Sequence, residues 1–154
     1  MLRVLFVCEL NSARSQMAEV FLKQLGGNKD FFVESCGIEA GTLNPLVIEA
    51  MDELGYDLSN NTTKTVFDLR QQVGYYDVVI SVYPQLLDSG CPIFPRRVRW
   101  LHWPFDAPSR VQGDQQTKLH TIRTIRDQIK GRVENFINDY RQTRQTVLKG
   151  TGFI

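Results

Sequence analysis

The stretch that decides the fold is residues 4–15, which read VLFVCELNSARS. Its first four residues form a continuous apolar run with β-branched side chains, which is typical of a strand buried on both faces. Small and polar residues follow from Cys8 to Ser15, and apolar residues then recur at helical spacing. The stretch therefore predicts a buried strand, a polar loop and a helix in succession, which is how a β–α–β unit begins.

The rest of the chain continues this alternation of strands and helices. The patterns predict helix 17–25, a strand that begins at 31–33 and stops near 37, helix 45–54, a short helix near 65–69, strand 78–82, strand 98–101 and helix 114–140. The alternation predicts one α/β domain over residues 1–140, with a parallel sheet covered on both faces. Apolar spacing is lost after Tyr140, so we expect residues 141–154 to form a mobile C-terminal tail.

The composition indicates a globular protein and excludes several classes of function. The chain has 154 residues, of which 42% are hydrophobic and 23% are charged. Its net charge of +1 argues against a strongly basic nucleic-acid-binding protein. No apolar run approaches the roughly 18 residues of a membrane span, and the N-terminal run is too short for a signal peptide. We therefore expect a cytoplasmic protein with neither nucleic acid nor membrane as a partner.

Three cysteines, Cys8, Cys36 and Cys91, are widely spaced along the chain. An odd number without a C-x-x-C pair argues against a disulfide framework and against a zinc site. The two histidines have no partner at metal-ligand spacing, so we predict no metal site. The cysteines are expected to be free thiols, of which one could be reactive.

The polar loop after the first strand carries the residues that point to chemistry. Cys8 and Arg14 are separated by five residues, between a strand and a helix. Backbone amides of such a loop can turn inward and bind an anion, and the following helix adds its positive end. Arg14 can hold a tetrahedral oxyanion through two parallel hydrogen bonds. The same positive field favours the thiolate form of Cys8, to which the hydroxyls of Ser12 and Ser15 could donate.

This loop therefore predicts an oxyanion site with a cysteine nucleophile. A bare Cys-x5-Arg match is weak by itself, and its position between a strand and a helix is what supports the prediction. The predicted oxyanion-binding residues are Glu9, Leu10, Asn11, Ser12, Ala13 and Arg14.

Val7-Cys8 followed by NSARSQMAE at residues 11–19 resembles the active-site loop of the low-molecular-weight protein tyrosine phosphatase superfamily. The SQMAE continuation is more similar to the thioredoxin-coupled arsenate reductase branch. Further matches lie, in the same order, at residues 35–39, 44–51, 57–59, 91–95, 102–105 and 126–129. The resemblance implies a four-stranded parallel sheet with helices on both faces and a phosphatase-like anion loop after the first strand.

The resemblance also implies roles for individual residues. In the phosphatases the loop cysteine attacks phosphorus, and an aspartate of a late loop protonates the leaving group. In the reductases the same cysteine attacks arsenate, and a second cysteine attacks the adduct and releases arsenite. No bound cofactor is implied, but an external thiol reductant is required, either thioredoxin or a small thiol. The implied catalytic residues are Cys8, Arg14, Ser15, Asp106 and Cys91.

Two of these positions depart from the family pattern. The family usually has Asp directly before the proline of the late loop, whereas here Ala107 precedes Pro108 and Asp106 is offset by one residue. Cys91 is the one resolving thiol that remains. It either forms a disulfide with Cys8 or is an inert loop thiol, in which case a monothiol cycle on Cys8 is needed. Cys36 is expected to be a buried structural residue.

Three functions stay open from the sequence. The first is an arsenate reductase, and the second is a phosphatase that hydrolyses phosphate monoesters through a phosphocysteine. The third is an oxyanion-binding domain without catalysis. Retention of Cys91-Pro92 favours the reductase, as does the non-aromatic stretch Ser109-Arg110-Val111 after Pro108, where the phosphatases usually place aromatic residues.

Overall fold

The protein is described from a computed structural model that covers residues 1–72, 76–82, 98–108 and 111–148. The predicted resolving thiol Cys91 lies outside these ranges, as do Ser109, Arg110 and residues 149–154. No helix of the described residues is long and apolar enough to cross a membrane.

The described residues form a parallel four-stranded sheet with three α-helices. The sheet has the strand order β2-β1-β3-β4, with every neighbouring pair parallel. The elements are β1 (Leu2–Cys8), α1 (Arg14–Phe21) continued by a π-helical turn (Leu22–Gly26), β2 (Phe31–Gly37), α2 (Pro45–Asp52), a 3-10 turn (Phe67–Gln72), β3 (Val78–Ser81), β4 (Arg99–His102) and α3 (Gln115–Leu148). The predicted α/β fold with a four-stranded parallel sheet is confirmed.

Strand β1 lies inside the sheet and carries the nucleophile to its edge. Val4, Leu5, Phe6 and Val7 are each 0% exposed. Because successive strand residues point to opposite faces, their burial means that both faces of β1 are covered. Cys8 is the last residue of β1, at the carboxyl edge of the sheet, where ligands of parallel α/β folds bind.

Aromatic contacts hold α3 and the loop after β4 against one face of the sheet. The ring of Phe6 lies 5.8 Å from that of Trp103, which meets Phe136 of α3 edge-on at 5.8 Å. Phe31 at the start of β2 packs against Tyr140 at 5.0 Å. Such pairs fix the direction of the chain after β4, because Trp103 is buried and the residues that follow it lead towards Cys8.

One element boundary differs from the sequence prediction for a physical reason. Strand β2 ends at Gly37, near the predicted stop, and the buried Ser35 does not interrupt its pairing with β1. Helix α3 was predicted to end at Tyr140 but continues to Leu148. Its last turns dock through polar contacts that an apolar pattern does not register: Arg141 donates to the Gly26 carbonyl at 3.0 Å and Arg144 to Asp30 at 2.7 Å.

Gly37 is the position at which β2 allows the loop after β1 to approach. A Cβ at Gly37 would lie 2.6 Å from the Asn11 backbone nitrogen. We expect Gly37→Ala to lower the free energy of unfolding by about 1–3 kcal/mol, as overpacking does elsewhere. Gly131→Ala is the matched control, because nothing lies within 4 Å of a Cβ there and the helix should gain about 0.5–1 kcal/mol. Urea denaturation measures both changes. Equal stability of the two variants would contradict the claim that a side chain at Gly37 obstructs the loop after β1.

Glu53, directly after α2, joins this helix to α3. Its carboxylate accepts hydrogen bonds from Arg123 at 3.0 Å and from Arg126 at 2.8 Å. The hydrogen bond from Arg123, with further help from Arg126, lowers the pKa of Glu53 from 4.5 to about 2. A carboxyl group with a lower pKa in the folded state stabilises the fold once ionised, so this contribution is full above pH 4.5 and is lost as the pH falls towards 2.

We therefore expect acid to destabilise the protein less when Glu53 is replaced. In Glu53→Gln, the loss of stability between pH 5 and pH 2 should be smaller than in the unmodified protein, as measured by urea denaturation at each pH. Glu134→Gln, which removes an exposed carboxylate of α3, serves as the control. Parallel stability curves for Glu53→Gln and the unmodified protein would show that the contact carries no pH dependence.

Candidate active site

Residues 8–15, here called the anion loop, are hydrogen-bonded to the neighbouring segment 38–44. Backbone N–H groups of this segment donate to loop carbonyls: Ile38 to Cys8 at 3.1 Å, Glu39 to Glu9 at 2.9 Å, Gly41 to Leu10 at 3.0 Å and Asn44 to Ser12 at 3.1 Å. Carbonyl oxygens repel an anion, and these are engaged by backbone donors outside the loop. The loop is therefore shaped for an anion by peptide groups as well as by side chains.

A small cavity, here called the anion cavity, lies beside the nucleophile. Its volume is about 30 Å³, so it accepts a small group and excludes larger molecules. Its lining residues are Cys8, Glu9, Leu10, Ser12, Ala13, Arg14, Asn44 and Pro108. The structure thus brings together most of the predicted loop residues. Asn44 and Pro108 were not predicted as site residues, and the sequence signal for Asn44 was its position in the family match at residues 44–51.

The Cys8 sulfur is surrounded by hydrogen-bonding groups. The side chain is 2% exposed, and its sulfur lies 2.8 Å from the Ser15 hydroxyl. The backbone N–H of Asn11 donates to the same sulfur at 3.1 Å, with a φ of 54° at Asn11. Helix α1 begins at Arg14, so its positive end also lies beside the loop. Two hydrogen-bonding groups and a helix N-terminus thus lie around the sulfur.

The hydrogen bond between Ser15 and Cys8 belongs to a network centred on the side chain of Asn11. The Asn11 side-chain nitrogen donates to Ser15 Oγ and to Ser35 Oγ, each at 2.9 Å. Its amide oxygen accepts the backbone N–H of Lys64 at 2.9 Å, which fixes the orientation of the amide. Because Ser15 Oγ already accepts from Asn11, its single proton is available to donate to the Cys8 sulfur.

This network continues away from the nucleophile to a charged pair. Ser35 Oγ donates to one oxygen of Glu19 at 2.5 Å, and Lys23 Nζ lies 2.6 Å from the other. Glu19 is 9% exposed, so its carboxylate needs such partners. The pairing of Lys23 with Glu19 was not predicted, although their spacing of four residues on one helix was a signal for it.

Arg14 and Asp106 are placed differently by the loop after β4. Arg14 is 5% exposed, lines the anion cavity and donates from Nη1 to the Phe105 carbonyl at 2.9 Å. Asp106, which directly follows Phe105, is exposed and does not line the anion cavity, whereas Pro108 does. The role of Asp106 as a general acid therefore stays a prediction. Among the described residues, no group of three or more His, Cys, Asp and Glu could hold a metal ion.

Cys36 lies on β2, away from the reactive sulfur. It is 0% exposed and pairs with Val7, while Cys8 pairs with Gly37. Since neighbouring residues of a strand point to opposite faces, the side chains of Cys36 and Cys8 point to opposite faces of the sheet. This position agrees with the expected structural role of Cys36.

The profile of one protein family, described as "Low molecular weight phosphotyrosine protein phosphatase", matches residues 3–146. The chain belongs to this family. The arsenate reductase of Bacillus subtilis is 39% identical over 134 residues, covering 86% of this chain and 93% of that protein. A glutaredoxin arsenate reductase of Synechocystis is 38% identical over 137 residues, covering 89% and 97%. A solved structure, "An arsenate reductase in the phosphate binding state", is 36% identical with a TM-score of 0.74, covering 90% of this chain and 98% of that one.

Ser15 provides a direct test of the nucleophile in this member of the phosphatase family. Ser15→Ala removes the hydroxyl that donates to the Cys8 sulfur, and a hydrogen bond to a charged group is worth about 1.5–3 kcal/mol. We expect the rate of Cys8 alkylation by iodoacetamide at neutral pH to fall about tenfold, measured by mass spectrometry of the Cys8 peptide. Ser59→Ala, at an exposed position, is the control. An unchanged rate in Ser15→Ala would show that the Ser15 hydroxyl does not donate to the reacting sulfur.

Proposed function

We propose that the protein is an arsenate reductase in which the Cys8 thiolate attacks bound arsenate. The observation that carries the proposal is the placement of the Cys8 sulfur in the lining of the anion cavity, with the Ser15 hydroxyl at 2.8 Å and Arg14 in the same lining. The family relatives named as arsenate reductases support the choice of arsenate as substrate. The solved reductase in a phosphate binding state supports a tetrahedral oxyanion as the ligand.

The first step joins the nucleophile to the substrate. Arg14 and the amides of the anion loop bind arsenate oxygens, and the Cys8 sulfur forms a bond to arsenic. One arsenate oxygen leaves as water after protonation. Asp106 is the proposed proton donor, since Phe105 and Pro108 on either side of it reach the site. Arg14 holds the charge that remains on the other oxygens.

The second step transfers two electrons to arsenic. The Cys91 thiol is proposed to attack the Cys8 sulfur, so that a sulfur–sulfur bond forms and the sulfur–arsenic bond breaks. The electron pair of the broken bond stays on arsenic, which is reduced from arsenate to arsenite. The protein is left with a Cys8–Cys91 disulfide. An external thiol, either thioredoxin or a small thiol, then restores both cysteines, and the glutaredoxin arsenate reductase among the relatives supports a thiol reductant.

A phosphatase activity is the second candidate, and the family itself favours it. Phosphate and arsenate have nearly the same shape and charge, so the anion cavity alone does not separate them. A phosphatase would form a phosphocysteine on Cys8 and hydrolyse it with water. The described residues that line the neighbouring cavity include Leu46 and Ile122 but no aromatic side chain, so they do not offer the aromatic sandwich expected for phosphotyrosine. This observation makes the reductase the first candidate.

The decisive experiment exposes fully reduced protein to arsenate without external thiol and maps its cysteines by mass spectrometry. We expect a Cys8–Cys91 disulfide and release of arsenite in equal amounts. Cys8→Ser should release no arsenite, because oxygen is a poorer nucleophile than a thiolate here. Cys36→Ala is the matched control and should react like the unmodified protein.

The other outcomes each identify a different function. Intact thiols, followed by arsenite release once small thiols are added, would replace the Cys91 step with a monothiol cycle on Cys8. Hydrolysis of a phosphate ester without any arsenite would identify the phosphatase. Stabilisation by phosphate with neither turnover would leave an oxyanion-binding domain and contradict both enzymatic functions.

A further inference from the structure

A second cavity, here called the side cavity, adjoins the anion cavity. Its volume is about 270 Å³, close to the lower end of the roughly 300–1,000 Å³ of small-molecule pockets. Asn44 and Pro108 line both cavities and form the shared wall. The other lining residues are Pro45, Leu46, Val111, Gln115, Lys118 and Ile122.

The walls of the side cavity have a distinct chemical character. Leu46, Val111 and Ile122 supply apolar surface, and Ile122 is almost fully buried. Gln115 supplies an amide and Lys118, which is half-buried, supplies the one cationic group among the described lining residues. Such a cavity suits a small, partly aliphatic molecule that carries a negative group.

Arsenate reduction at the anion cavity requires a reductant from outside the protein. Each turnover consumes two electrons, which must come from outside the protein. The anion cavity is too small to hold a reductant, and the Cys8 sulfur is nearly buried. A thiol that attacks Cys8 must therefore approach through neighbouring space. The side cavity is such a space, separated from the anion cavity only by the shared wall of Asn44 and Pro108.

We propose that the side cavity binds a low-molecular-mass thiol bearing a carboxylate, with Lys118 bound to the carboxylate and the sulfur directed past Asn44 and Pro108 to Cys8. The proposal rests on the arsenate reductase function proposed above. Asp114, the nearby acidic residue at the start of α3, accepts the Thr117 backbone N–H at 2.8 Å and is not part of the lining. Lys118 thus supplies the positive charge of the described lining to a bound carboxylate.

The thiol completes the cycle in two exchange reactions. The first thiolate attacks the Cys8 sulfur of the Cys8–Cys91 disulfide, which forms a mixed disulfide and releases the Cys91 thiolate. A second thiolate attacks the small-molecule sulfur of this mixed disulfide and releases the Cys8 thiolate. The two protons of the incoming thiols go to Cys91 and to the oxygen lost from arsenate as water. In sum, arsenate and two thiols give arsenite, one small-molecule disulfide and water.

The test compares a charged with a neutral thiol on the full chain. Arsenate reduction is measured with glutathione, which carries carboxylates, and with 2-mercaptoethanol, which carries none. In Lys118→Gln we expect the KM for glutathione to rise about three- to fivefold, the range of a partly exposed ion pair. The KM for 2-mercaptoethanol and for arsenate should not change. Lys118→Glu, which reverses the charge, should raise the KM for glutathione further, about tenfold.

Two controls separate binding from stability and from turnover. Lys29→Gln removes an exposed lysine just before β2, at the other end of the sheet, and should leave both KM values unchanged. S-methylglutathione cannot exchange disulfides, and we expect it to inhibit competitively with glutathione, with an inhibition constant that Lys118→Gln raises by the same factor as the KM.

The outcomes distinguish this inference from the proposed function. Arsenite production with both thiols but no change in Lys118→Gln would overturn the side cavity as the thiol site. An equal rise of the KM for both thiols in Lys118→Gln would show that Lys118 has a structural role. This result would also overturn the side cavity as the thiol site. One equivalent of arsenite per protein without further turnover in either thiol would also overturn the side cavity as the thiol site. The absence of even this first equivalent would overturn the arsenate reductase function itself.

Discussion

The active site depends on the buried amide side chain of Asn11. Both of its N–H groups are engaged, one by Ser15 and the other by Ser35. Its φ of 54° also brings the backbone N–H to the Cys8 sulfur. One residue therefore fixes the loop, donates to Ser15 and supplies a donor to the nucleophile. Asparagine suits this position because it tolerates the left-handed conformation better than most residues do.

The pair of Glu19 and Lys23, at the end of this network, orients Ser35 more than it stabilises the fold. A buried carboxylate is costly unless it is paired, and Glu19 is paired with Ser35 on one side and Lys23 on the other. Lys23 is partly exposed, so its attraction to Glu19 is screened by water and adds little to the free energy of unfolding. The pair holds Glu19 in one position, and Ser35 then presents its oxygen to Asn11.

The sequence predicted the parts of the site that are local in the chain. Residues 4–15 read correctly as strand, loop and helix, because an apolar run directly precedes the polar loop. The contact of Ser35 with Asn11 depends instead on the register that pairs Phe6 with Ser35, which no local pattern encodes. The end of α3 was missed for a similar reason, since Arg141 docks it through a backbone carbonyl. Asp106 does not line the anion cavity, although Pro108 two residues later does, so its role as a general acid stays a prediction.

The shared wall between the two cavities gives the reaction a preset geometry. Asn44 is fixed twice: its side chain accepts the Leu46 N–H as the cap of α2, and its backbone N–H donates to Ser12 of the anion loop. The wall therefore moves with the loop that holds Cys8. A thiol resting on Asn44 and Pro108 is positioned relative to the Cys8 sulfur by the same peptide contacts that shape the oxyanion site. Because attack on sulfur requires close, directed approach, this common support lowers the entropic cost of bringing two different reactants to one atom in succession.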